Sequence, residues 1–479
     1  MEKRIIIGNS LAILINRLTQ SITTFILIAF IARTLGAYSL GQYTLAFNYY
    51  FLFMTCTSQG LKTLFTRELS RYPEQTSMYL VSGSLLQFFL SLIGYLGLFI
   101  LVSIMPYSAD TSMVCYILGL MIIPFSLSNI TEAIFQAQEK MYLITISTTP
   151  IYIVRVILII WAITLKNNLD FVCELMVISE ILILLIQLLL IIPSVKPQWQ
   201  IEWNCMWTNL KYAWTFIVIE GMAVLKGRML VIILSLLSTE VVIGLYGAIS
   251  QLMQPFEIIA HSLVVAVFPA MSKSVLLGKD KQRELAEMII EILLCEALPL
   301  IIGIFFIGEE TLVLFYGDAK FAEGIVALDI MAVGLLVAAF TRPLGYLLVA
   351  NGFEMVNLIE VFSGNVVTVL AGIPLIYYYQ LIGVAVTGLI LSIISSGQYI
   401  YGVYTRLFHL NIRQIISRPL LIGIFMLVIF LELKMVTNNL IITIVSAILA
   451  YTVFAFFLVA NAVGGINIIL SKILVNKKF

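Results

Sequence analysis

Residues 79–105 read YLVSGSLLQFFLSLIGYLGLFILVSIM and contain no charged side chain. A helix needs about 20 apolar residues to cross the hydrocarbon core of a bilayer, and similar stretches recur along the whole chain between short polar loops. Their length and their lack of strict alternation favour helices over barrel strands. The sequence therefore predicts an all-α membrane protein with about fourteen transmembrane helices, at 7–32, 42–61, 79–105, 113–135, 142–165, 171–193, 209–236, 240–272, 287–307, 325–350, 355–379, 381–405, 415–434 and 438–460.

Composition supports this class of protein. Hydrophobic residues make up 61% of the chain and charged residues 11%, and the mean hydropathy is +1.07. Soluble domains carry about 25% charged residues, so much of this apolar surface is expected to face lipid. A net charge of +1 gives no field that attracts nucleic acid. The five cysteines show no metal-ligand spacing, and we predict no cofactor and no metal site.

Loop charges give the predicted helices a direction. With a cytoplasmic N-terminus, Arg33, Lys166, Lys320 and Lys434 fall on the outer side, and the other loop cations fall inside. Cytoplasmic loops are expected to carry this excess of lysine and arginine. We therefore predict that both termini are cytoplasmic. The tail, 465–479, is expected to be either a short amphipathic helix on the inner surface or a frayed basic segment.

Two pairs of short segments suggest an internal repeat. The second and eighth predicted helices open with LGQYTLA at 40–46 and IGLYGA at 243–248, and similar junctions follow the fourth and tenth helices, at 135–141 and 348–355. Helices six apart run in the same direction, so the repeat axis would lie along the membrane normal. This pattern predicts two six-helix lobes and a C-terminal part with two further helices and a basic cytoplasmic tail, at 1–195, 196–410 and 411–479.

Several motifs resemble a known family. AFIARTLGAYSLGQY at 29–43 resembles the N-terminal signature of the polysaccharide transporter family, which belongs to the multidrug/oligosaccharidyl-lipid/polysaccharide exporter (MOP) superfamily. Further similar segments extend the resemblance over roughly residues 5–410; they are FQAQEK at 135–140, VIGLYGA at 242–248, FPAMS at 268–272 and FYGD at 315–318 with Phe321.

The resemblance implies a V-shaped bundle like that of the multidrug exporters (MATE-like), in the bacterial cytoplasmic (inner) membrane. It implies a flippase that moves undecaprenyl-diphosphate-linked oligosaccharide repeat units by alternating access, for O-antigen, capsule or exopolysaccharide synthesis. Expected partners are the lipid-linked oligosaccharide and membrane lipids, and a glycan polymerase and H⁺ or Na⁺ stay open as further partners. The chain departs from the family pattern in the seventh helix, where Lys226, Gly227 and Arg228 stand in place of an acidic residue. Cation coupling therefore does not follow from the resemblance.

Five cations fall inside the predicted helices, where a charge costs several kcal/mol and marks a functional site by default. Arginine suits a diphosphate because its guanidinium binds two oxygens at once. We predict that these residues bind the substrate headgroup, with a buried ion pair to Glu132, Glu174, Glu180 or Glu220 as the alternative for each of them. They are Arg17, Arg155, Lys226, Arg228 and Arg342.

Other polar and aromatic residues have weaker expectations. Residues two apart on a helix point to opposed faces, so one of Lys226 and Arg228 is expected to face the cavity. Glu257 and His261 are four apart on one face and are the predicted coupling pair, with a packed polar pair as the alternative. Glu291 and Glu296 were placed near helix ends, where they would reach the interface. Tyr49–Tyr50 and Tyr377–Tyr379 were assigned to the interfacial belt.

Three other function classes were weighed. A MATE-like exporter of cationic drugs would favour an acidic and aromatic cavity, which the intramembrane cations oppose. A flippase for a peptidoglycan or teichoic-acid precursor stays open, because the same headgroup chemistry applies. A membrane scaffold or glycan-synthesis enzyme is disfavoured, since no long outer loop and no G-x-x-x-x-G-K-[ST] phosphate loop is present. We therefore predict a transporter and not an enzyme.

Overall fold

The chain folds into helices throughout the part that a computed structural model describes, which is residues 2–166, 168–193, 195, 202–436, 439–440 and 442–451. We number the helices in chain order: α1 Glu2–Met54, α2 Gly60–Arg71, α3 Ser84–Ile104, α4 Ala109–Gly119, α5 Ile122–Ala137, α6 Tyr142–Lys166, α7 Leu169–Ile191, α8 Trp203–Leu237, α9 Glu240–Ser274, α10 Lys279–Tyr316, α11 Ile325–Ala350, α12 Glu354–Arg406, α13 Ile412–Val436 and α14 Ile442–Tyr451.

Two of these helices each contain two of the predicted membrane spans. The backbone of α1 breaks at Gly36, where φ is 80°, a conformation that glycine adopts without the steric cost of a Cβ. The backbone of α12 breaks at Gln380, where φ is 46°. With these breaks, the described helices supply a counterpart for each predicted span. The fourteenth is described only as far as Tyr451, and the predicted tail at 465–479 lies outside the described residues.

The number of crossings has support from helix length. Ten helical stretches in the described part are long and apolar enough to cross a membrane, two of which contain the breaks at Gly36 and Gln380. Helix α8 is not among the ten, because Glu220, Lys226 and Arg228 interrupt its apolar run. The chain is therefore a multi-pass helical membrane protein.

Packing divides the chain into two compact units. Unit 1 comprises Met1–Leu252, Phe315–Phe321 and Val361–Val384, and unit 2 comprises Met253–Leu314, Ala322–Glu360 and the described residues from Ala385 onward. Helix α8 and the first part of α9 thus pack with the first six predicted spans. Packing in one state does not say which helices move together, so the predicted lobe boundaries at 195 and 410 stay predictions.

The core of unit 1 is apolar with a polar network inserted into it. Leu64 and Phe65 of α2 pack on Ile134 and Phe135 of α5, and all four side chains are buried. Beside them, Lys62 forms an ion pair with Glu132 and donates to Asn129. The side-chain amide of Gln187, also buried, contacts Glu132 and Ser147, and its oxygen accepts from Thr131, which links α5, α6 and α7.

Polar side chains also fix the two ends of unit 1. At one end, Asn9 donates to the Glu139 carbonyl at 2.6 Å and accepts from the Met141 amide at 3.2 Å. At the other end, Thr111 donates to Glu240 at 2.9 Å and accepts from Gln42 at 3.2 Å. The loops that carry these residues alternate between the two ends, as successive crossings of a membrane require.

Glycines allow α1 and α9 to cross in direct backbone contact within unit 1. A Cβ on Gly41 would overlap the carbonyl group of Glu240, four residues before Gly244. A Cβ on Gly244 would overlap the carbonyl group of Ala37, four residues before Gly41, and would lie 3.0 Å from the Gly41 nitrogen. The contact is thus reciprocal. It joins the two segments, 40–46 and 243–248, that the sequence pairs as a repeat.

Unit 2 has two apolar clusters. The larger contains Leu293 and Leu294 of α10 with Leu347 and Leu348 of α11 and Val403 of α12. The smaller contains Ile422, Met426 and Phe430 of α13 with Ala447 of α14, and Phe430 stacks on Phe306 at 5.7 Å between ring centroids. Between α9, α10 and α11 the packing leaves a cavity that contains charged side chains.

Candidate functional site

Arg17 stands in a polar stripe on the first part of α1. Residues three, four and seven positions apart share a helix face, so Arg17 shares its face with Gln20, Ser21 and Thr24. Arg17 is exposed and forms no ion pair or hydrogen bond with the residues that the structure describes. Leu14, Leu18 and Ile22 form a separate, exposed apolar face. The apolar face is suited to lipid, and the stripe with Arg17 is suited to a polar ligand.

Arg155 is buried in unit 1, between α6 and α7. Its Nη1 donates to Glu180 Oε1 at 3.1 Å, and the guanidinium lies 4.8 Å from the centre of the Tyr152 ring. The side chains of Arg155 and Glu180 are only 7% and 5% exposed. This geometry is the ion pair that the sequence left open as the alternative to substrate binding. In this conformation the charge of Arg155 is neutralised inside the protein.

Lys226 and Arg228 extend from α8 toward different neighbours. Lys226 packs over Gly364 of α12, because a Cβ at that glycine would lie 2.9 Å from the lysine Cε. Arg228 Nη1 donates to Asn48 Oδ1 at 3.0 Å, and its guanidinium lies 4.5 Å from the centre of the Phe51 ring. Helix α8 continues through Gly227 without a break, so the opposed directions follow from helix geometry as expected. Which of the two cations faces a transport cavity stays a prediction.

The environment of Arg228 contains features that the sequence did not single out. Its contacts in the second part of α1 are an amide and an aromatic ring, and no carboxylate in the described part lies within ion-pair distance of it. Phe51 ends a row of rings in which Phe47 stacks on Tyr43 at 5.9 Å and contacts Phe51 at 6.5 Å. A spacing of four between aromatic residues at 43, 47 and 51 is the signal that could have indicated this row.

The belt assignment is wrong for one of the two tyrosine groups. Tyr377, Tyr378 and Tyr379 are between 61% and 75% exposed, as a position near the interface allows. Tyr49 and Tyr50 are 0% and 4% exposed and lie inside unit 1, where Tyr49 shares a 2.7 Å hydrogen bond with Tyr107. The predicted span starts at residue 42, but the helix that contains them runs on to Arg71, so they are far from its end.

Unit 2 holds the remaining predicted residues around its cavity. Arg342 Nη1 donates to the main-chain oxygen of Glu257 at 2.7 Å, and its Nη2 lies 3.6 Å from the Glu257 carboxylate. Glu296 also lines the cavity, and it stands near the middle of α10 rather than near a helix end as expected. His261 is exposed and is not among the lining residues. Arg342, not His261, is therefore the charged group paired with Glu257.

The comparisons with known proteins can now be set beside this geometry. A family profile described as polysaccharide biosynthesis protein matches residues 6–275, more than half of the chain. The chain belongs to this family. The matched range contains Arg17, Arg155, Lys226, Arg228, Glu257 and His261, whereas Glu296 and Arg342 lie beyond it. No curated protein sequence matches the chain.

Solved structures show the fold of this polysaccharide biosynthesis family member. A lipid II flippase MurJ in an inward closed conformation is similar with a TM-score of 0.72 and 17% identity, over 95% of this chain and 100% of that one. A MATE family multidrug resistance transporter of the MOP superfamily, inward-facing, has a TM-score of 0.66 and 14% identity, over 81% and 94%. A MOP superfamily transporter from Pyrococcus furiosus, described as having a binding pocket of reverse polarity, has a TM-score of 0.57 and 12% identity, over 84% and 95%. The fold is therefore that of the MOP superfamily.

Proposed function

We propose that this protein is a flippase that moves undecaprenyl-diphosphate-linked oligosaccharide repeat units across the bacterial cytoplasmic membrane. Membership of the polysaccharide biosynthesis family and the MOP fold support a transporter that serves glycan synthesis. The repeat unit would belong to an O-antigen, a capsule or an exopolysaccharide. A glycan polymerase would receive it on the outer side, and both termini of the chain would be cytoplasmic.

The observation that carries this proposal is the state of the cations in unit 1. Arg17 has no ion-pair or hydrogen-bonding partner in the described part of the chain, and the side-chain contacts of Arg228 are an uncharged amide and a ring. Cations without carboxylate partners are costly inside a membrane. A diphosphate would offset that cost, because each guanidinium can donate two hydrogen bonds to phosphate oxygens.

The surroundings of Arg228 fit a negatively charged ligand in a further respect. The Asn48 amide and the Phe51 ring hold the guanidinium in place without neutralising it. A guanidinium has five N–H donors, and the Asn48 oxygen takes one of them. The geometry therefore leaves donors of Arg228 for phosphate, while its orientation is already fixed.

Arg155 is given a different role from the other cations. Because Glu180 neutralises it in a buried pair, we assign it to positioning α6 against α7 rather than to the headgroup. The proposed headgroup contacts are thus Arg17, Lys226 and Arg228. Transport would occur by rocking of the predicted lobes, with the lipid tail remaining in the bilayer.

Binding of undecaprenyl diphosphate to the purified full chain in lipid nanodiscs tests this proposal. We expect Arg228→Gln to weaken binding about tenfold or more, because a hydrogen bond to a charged group contributes about 1.5–3 kcal/mol. Arg228→Lys should lie between the two, since it keeps the charge but loses the planar fork. Arg17→Gln should also weaken binding.

Arg283→Gln is the matched control, because it removes the same charge from a site where Arg283 pairs with Asp280 at the start of α10. If Arg17→Gln and Arg228→Gln weaken binding no more than this control, the headgroup assignment is refuted. Stronger binding of tetraphenylphosphonium than of undecaprenyl diphosphate would instead favour the drug-exporter alternative.

A flippase for a peptidoglycan or teichoic-acid precursor is the second candidate. The similarity to a lipid II flippase over the full length of that chain favours it, and the same cations would bind its diphosphate. Competition separates the two candidates. A precursor with one short glycan displaces labelled undecaprenyl diphosphate no better than a repeat-unit lipid if the first proposal holds, and clearly better if the second does.

A further inference from the structure

The cavity in unit 2 has a charged lining in otherwise apolar surroundings. It encloses about 330 Å³ between α9, α10 and α11, and its apolar lining includes Phe256, Leu293, Leu300 and Leu335. The charged side chains in the lining are Glu257 of α9, Glu296 of α10 and Arg342 of α11. Two carboxylates therefore share one guanidinium.

The two carboxylates are not equivalent. Glu257 lies 3.6 Å from Arg342 Nη2, and its side chain is 53% exposed. Glu296 Oε1 is fully enclosed by protein and accepts no hydrogen bond from any residue that the structure describes. Glu296 is therefore the carboxylate without a counter-charge, and it lies near the middle of the 38-residue helix α10.

An ionised carboxylate in this position would be expensive. Burying a charge without a partner costs several kcal/mol, and in practice such a group is neutralised. A proton on Glu296 removes the surplus negative charge and leaves the pair of Arg342 and Glu257 intact. Loss of that proton would create a second anion that competes for Arg342, whose present contact with the Glu257 carboxylate is long.

We propose that Glu296 binds and releases a proton in this cavity, and that Arg342 exchanges between the carboxylates of Glu257 and Glu296 as it does so. The proton enters and leaves by way of Glu257, which is the exposed member of the cluster. The proton is only transferred between oxygens, so no other reactant is needed.

Other titratable groups surround the cluster from the helices packed on α10. Tyr451 of α14 donates to the Cys295 carbonyl at 3.4 Å, next to Glu296 in sequence. Arg418 of α13 is paired with Glu291 at 3.1 Å. Helix α12 contributes Glu360, which accepts from Ser395 and is adjacent to Tyr399. From α9, His261 lies one turn beyond Glu257. Each is engaged elsewhere, which leaves Arg342 as the cation that responds to Glu296.

This assignment goes beyond the proposed flippase activity, and only its place in the transport cycle rests on that activity. An anionic diphosphate is repelled by an ionised Glu296 and not by a neutral one. Protonation would therefore accompany passage of the headgroup, and release of the proton would accompany the return.

Dicyclohexylcarbodiimide tests the proton site directly, because it reacts with protonated carboxyls in apolar surroundings and remains attached as an N-acylurea. The purified full chain in lipid vesicles is treated with it, and the modified residue is located by peptide mass spectrometry. We expect modification at Glu296, more at mildly acidic than at alkaline pH. Glu296→Gln should abolish it, and Arg342→Gln should extend it to higher pH because the competing cation is gone.

Glu291→Gln is the matched control on the same helix, and it should leave modification of Glu296 unchanged. Modification that is independent of pH, or that persists in Glu296→Gln, overturns the proposal. A second measurement guards against poor access of the reagent. The thermal midpoint of the unmodified protein should fall at alkaline pH relative to Glu296→Gln, since only the former acquires the unpaired charge. Equal midpoints at alkaline pH, together with no modification of Glu296, would also overturn it.

The outcomes separate the two proposals. If undecaprenyl diphosphate does not bind but Glu296 is modified as expected, the flippase proposal fails and the proton site stands. If the lipid binds normally and Glu296 shows no pH-dependent modification and no effect on the thermal midpoint, the proton site fails alone.

Discussion

Replacing Gly41 by alanine would put a methyl group where α1 and α9 cross. The Cβ would overlap the Glu240 carbonyl group, and the reciprocal change at Gly244 would overlap that of Ala37. The obstacle in both cases is backbone, which cannot turn aside as a flexible side chain can. The two helices would therefore have to separate along the line between Gly41 and Gly244.

The size of the effect follows from ordinary contact distances. Close Cα–H···O contacts between helices have C···O separations of about 3.3–3.6 Å and contribute about 0.5–1 kcal/mol each. Restoring such a separation around a new Cβ moves the backbones apart by roughly 1 Å or more. Overpacking of this kind typically costs about 1–3 kcal/mol. That range corresponds to about a 5- to 150-fold loss in the population of the crossed arrangement.

A disulfide between Thr44→Cys and Gly247→Cys would report that arrangement. A Cβ on Gly247 would lie 3.2 Å from the Thr44 Cβ, close to the Cβ···Cβ range of about 3.5–4.5 Å in disulfides. In a background without the five native cysteines, we expect rapid cross-linking of this pair and much slower cross-linking when Gly41→Ala is added. Gly334→Ala is the matched control, because a Cβ at Gly334 meets nothing within 4 Å.

Cross-linking that is equally fast with Gly41→Ala and with Gly334→Ala would refute the reasoning, since it would show that the helices do not approach closely at Gly41. Slower cross-linking with both changes would be a general effect of alanine and would refute it as well.

The remaining predictions concern buried polar contacts in unit 1. Arg155→Leu leaves Glu180 buried without its partner and should cost about 3–5 kcal/mol, whereas the double change Arg155→Leu with Glu180→Leu should recover most of it; thermal unfolding measures both, and equal loss in the two would contradict the pairing. Tyr107→Phe removes 2.7 Å hydrogen bonds to Tyr49 and Ser235 and should cost about 1–3 kcal/mol at about 0.5–1.5 kcal/mol each. Burial raises the pKa of Tyr107 above its usual value, so its neutral form stabilises the fold below a pH of about 10 and that contribution is lost as the pH rises further; Tyr107→Phe should show a smaller alkaline loss in thermal midpoint, and an unchanged loss would count against this.

Some candidate site residues could be predicted from the sequence and others could not. A cation inside an apolar helix is visible in the sequence because its cost does not depend on the neighbours, and so Arg17, Arg155, Lys226, Arg228 and Arg342 were all found. Whether such a cation has a partner depends on a helix far away in sequence. Glu180 neutralises Arg155 across 25 residues, and Glu257 contacts Arg342 across 85. That is why the same pattern covers an ion pair and an unpartnered cation.

The sequence by itself determined the class of protein and its helices. Apolar runs of membrane length have one stable backbone solution in lipid, because each N–H and C=O must be bonded within its own segment. Only the tertiary structure decided what happens between the helices. The crossing at Gly41 and Gly244, the ion pair of Arg155, and the enclosed Glu296 all depend on which faces meet. A helical period places a residue on a face, but the partner of that face is chosen by the packing of the whole bundle.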